Sequence, residues 1–276
     1  MPVKPGCSLV LIHGIGDQPK DWSKKFRKAL KAELGTSFKK IKLDDAYWAP
    51  LSTWQELVHP TLAASPEAAG VKLEADVFDR TVQQVASVMA AEEGVPPASL
   101  GFGPVDIKNW LLKLPKGIKN LVEDIGNYVA HNGVRTAVQN VLHSKLSDVE
   151  RLKVPVLLVG HSQGTVICYD ALRQAGSNYA HIRTWITMGS PLRKYYLSCL
   201  QWGRQKLGMP STLRWLNLYD AKDIVGNDLK GAVDWDSPVL EDHQVDNVHN
   251  AGGAHNHWDN PEVVRIVADE IRQLLV

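Results

Sequence analysis

Several features that would assign this chain to a class of protein are scarce or absent in its sequence. It has only three cysteines, Cys7, Cys168 and Cys199, with no close pairing, so neither a disulfide framework nor a cysteine zinc site is supported. No apolar run approaches the roughly 20 residues of a membrane span, and the first residues lack the apolar core of a secretory signal. The 31 basic and 30 acidic side chains nearly cancel, which argues against a general nucleic-acid binder. We therefore expect a cytoplasmic protein with no transmembrane segment and no nucleic-acid partner.

What the sequence does contain is an alternation of short apolar runs and amphipathic stretches. Its 276 residues, 44% of them hydrophobic, suit a single domain spanning residues 1–276. The apolar runs predict five buried strands and a candidate sixth: Ser8–His13, Lys39–Leu43, Val154–Val159, Thr184–Met188, Arg214–Tyr219 and Gln244–Val248. Helices are predicted between them, at Trp22–Leu34, Gly164–Ala175, Arg193–Leu207 and Pro261–Leu275. This order predicts an α/β fold with a mostly parallel sheet flanked by helices.

One long region interrupts the alternation. Residues 48–152 contain no clear strand, and their apolar residues recur at helical spacing over Val71–Glu93 and over residues 118–146, where Gly126 and Gly133 are candidate breaks. We therefore expect a helical insertion of roughly 100 residues, either a lid over the site or a cap packed permanently on the sheet.

The most informative segment is Gly160-His161-Ser162-Gln163-Gly164, which follows an apolar strand and precedes a helix. This context is the one that a nucleophile elbow requires, because a sharp turn there lifts the serine hydroxyl above the end of the strand. We therefore predict Ser162 as a catalytic nucleophile, with His161 packed beside it.

A second glycine turn, His13-Gly14-Ile15-Gly16, follows the first predicted strand. An acyl-transfer enzyme of this architecture takes one oxyanion donor from the residue after the nucleophile and one from the loop after an earlier strand. These positions predict the backbone amides of Gln163 and Ile15 as the oxyanion hole. Gly14 and Gly16 give the turn its freedom and are predicted to border the substrate.

With these motifs and Gly189-Ser190-Pro191, the chain resembles the serine hydrolases of the α/β-hydrolase superfamily, in particular the lipases and esterases. The resemblance covers residues 7–47 and 153–276 and leaves the insertion unexplained. It implies an α/β-hydrolase-like sheet shortened at its N-terminus, since the first strand would be the third of the usual eight. It also implies a triad in the order nucleophile, acid, histidine.

Two aspartates follow the fifth predicted strand and are candidates for the acid. Relatives commonly have an apolar pair after the acid, which favours Asp223 over Asp220. The aspartate that does not serve as the acid would cap a turn.

The histidine is expected in the loop before the final helix. His255 follows two glycines, as in similar enzymes, and is favoured over His257 and His249. Together with His243, these histidines also raise the possibility of a metal site, but no metal-binding spacing such as His-Glu-x-x-His is present, so no metal and no cofactor are predicted.

The resulting hypothesis is a carboxylic-ester hydrolase that forms an acyl-enzyme on Ser162 with Asp223 and His255 as the rest of the triad. Its substrate would be a small-molecule or lipid-like ester. A thioesterase, an acyltransferase or a catalytically idle binding protein with this fold remain alternatives.

Overall fold

The computed structural model describes residues 4–14, 18–51, 80–85, 87–88, 116–175, 179–194, 213–230, 240–247 and 253–276. Within these ranges the chain forms one sheet of six strands: β1 (Cys7–Ile12), β2 (Ile41–Ala46), β3 (Val156–His161), β4 (Ile182–Met188), β5 (Arg214–Tyr219) and β6 (Leu240–Gln244). All neighbouring strands are parallel, in the order β2-β1-β3-β4-β5-β6. The predicted α/β class with a parallel sheet flanked by helices is therefore confirmed.

The longest described helices are α1 (Lys24–Leu34), α2 (Lys116–Ala130), α3 (Asn132–Glu150), α4 (Gln163–Ala175) and α5 (Pro261–Leu274). Helices α1 and α5 pack on one face of the sheet, where Phe26 and Val267 join Leu9 and Leu11 of β1 in a single apolar cluster. Helices α2, α3 and α4 cover the other face, with Val10 of β1 in their cluster. The sheet is thus the middle of three layers, and β1 and β3 are buried along their whole length.

The position of the site is set by a change in strand order between β1 and β3. The chain places β2 on one side of β1 and the later strands on the other side, and the helices after β1 and β3 lie on opposite faces. In open parallel sheets, the crevice outside the carboxyl ends of two such strands is the usual ligand site. The turns that follow β1 and β3 are the two glycine turns singled out in the sequence.

Two predicted strands are displaced along the chain. The second was expected at Lys39–Leu43, but residues 35–40 form a 3₁₀ helix and β2 runs from Ile41 to Ala46. The sixth was expected at Gln244–Val248, whereas β6 covers Leu240–Gln244. Both are edge strands with partly exposed residues, so they lack the continuous apolar run that marks the central strands.

The described part of the insertion packs directly on the sheet. Helices α2 and α3 meet at His131, while Gly126 lies inside α2 and Gly133 in the first turn of α3. Val122, Ile125 and Leu142 are buried in the same apolar cluster as β1 and β3. Of the predicted helix Val71–Glu93, residues 80–85 and 87–88 are described and helical, and the remainder of that helix lies outside the described residues, as does the predicted helix Arg193–Leu207 beyond Lys194.

A buried polar cluster joins these helices to α4. The Tyr128 hydroxyl donates to Asp170 Oδ2 at 3.0 Å, and Gln139 Nε2 donates to the Tyr128 oxygen at 3.0 Å. Burial raises the pKa of Asp170 to about 6, although Arg173 opposes the shift with an ion pair of 3.3 Å. The helix that follows Ser162 is therefore tied to α2 and α3 by hydrogen bonds as well as by apolar contacts.

Helix α5 begins as the sequence predicts. Pro261 occupies its first turn, and Asn260 Oδ1 accepts a hydrogen bond from the Glu262 backbone N–H at 2.8 Å. None of the helices in the described residues is both long enough and apolar enough to span a lipid bilayer.

Candidate active site

Ser162 occupies a strained turn between β3 and α4. Its φ of 53° lies in the left-handed region, which side chains other than glycine seldom adopt. The conformation is held by its neighbours, because the Ser162 N–H donates to the Met188 carbonyl at 2.9 Å and the Ser162 carbonyl accepts from Thr165 Oγ1 at 2.7 Å. This is the sharp strand-to-helix turn that the sequence predicts for a nucleophile elbow.

The turn after β1 lies directly against this elbow. A Cβ on Gly14 would stand 2.6 Å from Ser162 Cβ, and a Cβ on Gly164 would stand 2.4 Å from the His13 carbonyl oxygen. No real side chain fits at such distances, so both positions require glycine. The structure therefore brings together the two glycine turns that are nearly 150 residues apart in the chain.

His13 is fixed at the base of its turn. Its Nε2 accepts from the Trp48 backbone N–H at 3.0 Å, and its ring stacks on the Trp48 ring with centroids 4.9 Å apart. Trp48 Nε1 also donates to the His13 carbonyl at 3.2 Å. Trp48 thus fixes both the side chain and the backbone carbonyl of His13, the residue that begins this turn.

Asp223 and His255 form a hydrogen-bonded pair. His255 Nδ1 lies 2.8 Å from Asp223 Oδ2, and Asp223 Oδ1 accepts from the Val225 backbone N–H at 2.9 Å. Burial alone would raise the pKa of Asp223, but the His255 ring and its hydrogen bond outweigh burial and keep the pKa below its ordinary value. Asp223 is therefore an ionised carboxylate that accepts the Nδ1 hydrogen, and His255 Nε2 is left as the basic nitrogen of the ring.

Asp220, the other candidate acid, has a different set of partners. Its Oδ1 accepts from the Lys222 backbone N–H at 2.8 Å, and its Oδ2 accepts from the Asn247 backbone N–H at 2.6 Å. Both oxygens thus accept from the backbone of the loops around the candidate site, which is the turn-capping role expected of an aspartate that is not the acid.

The backbone of His255 is held by two other histidines. Its carbonyl oxygen accepts from His161 Nε2 at 2.8 Å and from His257 Nδ1 at 3.2 Å. Burial, followed by the charges of the neighbouring histidines, lowers the pKa of His161 well below its ordinary value, and burial and His255 lower that of His257 to about 4. Both rings are therefore neutral near neutral pH and act as hydrogen-bond donors to the loop.

Gly189 lies under the two rings of the loop. Its φ is 54°, and a Cβ there would stand 2.9 Å from His255 Nδ1 and 3.0 Å from His257 Cε1. Because Gly189 follows Met188, whose carbonyl binds the Ser162 N–H, the histidine rings and the serine turn share one wall at the carboxyl end of β4.

Three reactive atoms at this wall are buried without a partner in the described part of the chain. These are Ser162 Oγ, His255 Nε2 and His257 Nε2, and the first two are not hydrogen-bonded to each other. In enzymes without substrate, catalytic hydrogen bonds are often long and tighten only in the complex. The side-chain amide of Gln163 is also buried, and neither its oxygen nor its nitrogen has a partner among the described residues.

Of the predicted oxyanion donors, the structure places one. Gln163 is the first residue of α4, so its backbone N–H has no acceptor within the helix and lies at the positive end of the helix dipole. Ile15 and Gly16 lie outside the described residues, as does His249.

The remaining histidine of the region lies elsewhere. His243 is on β6, where its Nε2 lies 3.3 Å from Glu262 Oε1. Within the part of the chain that the structure describes, no group of three or more histidine, cysteine or acidic side chains is arranged to hold a metal ion.

Sequence reasoning missed the supporting contacts around the pair. The sequence offers His257 as an alternative base and as one of several histidines that raise a metal site, and nothing in it indicates that His257 anchors the His255 carbonyl. The adjacent glycines and the three nearby histidines were the available signal, but spacing alone does not say which ring contacts which carbonyl. No protein-family model and no curated protein matches this chain, so its assignment depends on its own residues.

Proposed function

We propose that the chain is a carboxylic-ester hydrolase of the α/β-hydrolase type that works through an acyl-enzyme on Ser162. The observation that carries the proposal is the Asp223–His255 hydrogen bond at the carboxyl end of the sheet, on the wall that also holds the strained Ser162 turn. A nucleophile, a base and an orienting carboxylate in this chain order are the parts of a serine hydrolase triad.

Acylation follows from the hydrogen positions around His255. Since Nδ1 carries the hydrogen that Asp223 accepts, Nε2 has a free lone pair and removes the proton of Ser162 Oγ as that oxygen attacks the ester carbonyl. The resulting imidazolium is stabilised by the Asp223 carboxylate and then protonates the leaving alcohol. Water hydrolyses the acyl-enzyme by the same route in reverse.

The negative oxygen of the tetrahedral intermediate would be bound by the backbone N–H of Gln163, with Ile15 as the second donor. Loss of one such donor typically costs about 3 kcal/mol of transition-state stabilisation. The tight contact between Gly14 and Ser162 supports this assignment, because Gly14 directly precedes Ile15 in the chain.

The substrate is proposed to be a small-molecule or lipid-like ester. A thioester would meet the same residues, so the assay compares matched oxygen and sulfur esters over a series of acyl chain lengths. Helices α2 and α3, which form most of the described part of the insertion, pack on the sheet, and this packing supports a fixed cap over a mobile lid.

The test is labelling with a fluorophosphonate probe together with turnover of p-nitrophenyl esters. Wild type should be labelled and active, whereas Ser162→Ala should show neither. Ser190→Ala is the matched control, since the buried Ser190 hydroxyl is hydrogen-bonded to Thr165 Oγ1 and not to Asp223 or His255. Labelling that survives in Ser162→Ala, or that is lost in Ser190→Ala alone, would show that the nucleophile is assigned wrongly.

A further inference from the structure

His255 and His257 present matching edges to the same wall. The Cε1 atoms of both rings lie 3.0 Å from the point that a Cβ would occupy on Gly189. The two Cε1 atoms are therefore no more than twice that distance apart, and each is bonded to the Nε2 of its ring. The ring planes are nearly perpendicular, with centroids 6.4 Å apart, so neither ring is stacked on the other.

Hydrogen bonds fix which nitrogen of each ring has the hydrogen. His255 Nδ1 faces a carboxylate and His257 Nδ1 faces a carbonyl oxygen, and both of these groups only accept. Each Nδ1 is thus the donor, and each Nε2 is an acceptor with a free lone pair. The low pKa of His257 keeps its Nε2 unprotonated at neutral pH.

Both acceptors are buried, and neither Nε2 has a hydrogen-bond partner among the residues that the structure describes. The His257 side chain is fully buried. A buried acceptor without a donor costs free energy, and a water molecule or a group of the reaction is a common source of the missing donor. His255 Nε2 meets its donor in the Ser162 hydroxyl during acylation, but His257 Nε2 has no such group in the triad.

We infer that His257 positions the water that hydrolyses the acyl-enzyme, an inference that rests on the proposed function. Two neighbouring acceptors match a water molecule, because water has two O–H donors and a lone pair that remains free to attack. One O–H points to His255 Nε2 and the other to His257 Nε2. An alcohol has a single O–H and leaves one of these nitrogens unpaired.

The step balances as a hydrolysis. The water oxygen bonds to the acyl carbon while one proton passes to His255 Nε2, and the second hydrogen stays on the attacking oxygen, directed at His257. The bond between the acyl carbon and Ser162 Oγ then breaks, and the imidazolium returns its proton to Oγ. The carboxylic acid leaves with the second hydrogen.

This arrangement favours water over alcohols as the second substrate. The acyl-enzyme is common to hydrolysis and to acyl transfer, so the choice is made where the attacking oxygen is held. With His257 in place, the chain acts as a hydrolase and transfers acyl groups to alcohols poorly.

The test measures how the acyl-enzyme divides between water and methanol. A p-nitrophenyl ester is hydrolysed in the presence of methanol, and the ratio of methyl ester to free acid is determined by chromatography. His257→Asn retains a donor toward the His255 carbonyl and loses the Nε2 acceptor, and His257→Gln retains an acceptor near the Nε2 position. The ratio should rise by about tenfold or more in His257→Asn, because misplacing a reacting group typically costs up to about a hundredfold. It should stay near wild type in His257→Gln.

Two further measurements separate the possible outcomes. The rate of fluorophosphonate labelling reports on Ser162 activation alone, and His243→Asn, which changes an exposed histidine outside the site, is the control. An unchanged methanol ratio in His257→Asn, or labelling and hydrolysis that fall by the same factor, would overturn the role of His257. Wild type that neither forms an acyl-enzyme nor reacts with the probe would instead overturn the proposed function.

Discussion

The two aspartates after β5 allow a sharp test, because a single change at each should have opposite consequences. Asp223→Asn replaces one carboxylate oxygen by an NH₂ group, and the His255 Nδ1–H then faces a donor or a much weaker acceptor. The ring is driven toward the tautomer with its hydrogen on Nε2, which cannot accept the serine proton. Such a change typically lowers kcat by about 10⁴, or about 5 kcal/mol of transition-state stabilisation.

Asp220→Asn is the matched control. It puts an NH₂ group against a backbone N–H, either of Lys222 or of Asn247, and leaves the Asp223–His255 hydrogen bond intact. Loss of a buried charge-assisted hydrogen bond costs about 1–3 kcal/mol, so we expect lower stability and a kcat close to wild type for the folded enzyme.

The assay combines kcat on a p-nitrophenyl ester with urea unfolding of each variant. Asp223→Asn should have a greatly reduced kcat, whereas Asp220→Asn should have a reduced free energy of unfolding and a kcat close to wild type. Since the pKa of Asp223 is lower in the folded protein than in the unfolded chain, its ionised form contributes stability above pH 3.8. That contribution is lost as the pH falls through the folded pKa, so the stability difference between wild type and Asp223→Asn should shrink in acid. A kcat loss that is larger in Asp220→Asn would refute the assignment of the acid.

Three further changes test other parts of the site and fold. Gly189→Ala places a Cβ 2.9 Å from His255 Nδ1, so it should lower kcat, and an unchanged kcat would contradict the tight contact. Because the φ of residue 189 is 54°, the side chain should also destabilise the protein by about 1–2 kcal/mol in urea unfolding. Gln163→Met removes a buried amide whose two polar atoms have no partner in the described part of the chain, so the free energy of unfolding should rise by about 1 kcal/mol. The kcat should be retained, because the proposed oxyanion donor is the backbone N–H of Gln163. A fall in stability would show that the amide has a partner. Burial raises the pKa of Asp170 from 3.8 to about 6. Its contribution to stability is therefore full below pH 3.8 and falls by about 3 kcal/mol as the pH rises through 6. Asp170→Asn should flatten the pH dependence of the free energy of unfolding over this range, and an unchanged dependence would contradict the burial of Asp170.

The central strands could be predicted from the sequence because a strand buried on both faces is a continuous apolar run. β1, β3 and β5 begin within two residues of the predicted positions, and the last agrees at both ends. The edge strands could not be located as well, since β6 is largely polar and its register is set by pairing with β5. Local composition has no information about that partner.

The candidate site also has one part that is predictable from neighbouring residues and another that depends on distant ones. The strained serine turn was predictable, because its glycines, strand and helix are contiguous in sequence. The choice between Asp220 and Asp223 depends on which carboxylate reaches His255, and the two differ only in contacts with a loop 25 to 35 residues further along. The contacts of His161 and His257 with one carbonyl oxygen are likewise tertiary, so residue types alone do not specify them.

The pairing of β1 with β3 has a consequence for synthesis of the chain. Ser8 pairs with Val156, so the serine turn and the His13 turn come together only after the chain has been extended by 148 residues. At about 5–20 residues per second, roughly 7 to 30 s pass between the synthesis of β1 and that of its neighbour β3. Of the strands that the structure describes, only β2, 34 residues further on, is available to it during that time. The other edge of β1 then has open hydrogen-bonding groups on an apolar strand. Until β3 has been made, the nascent chain therefore exposes the strand that later supports one turn of the candidate site, and chaperone binding to residues 7–12 would protect it from aggregation.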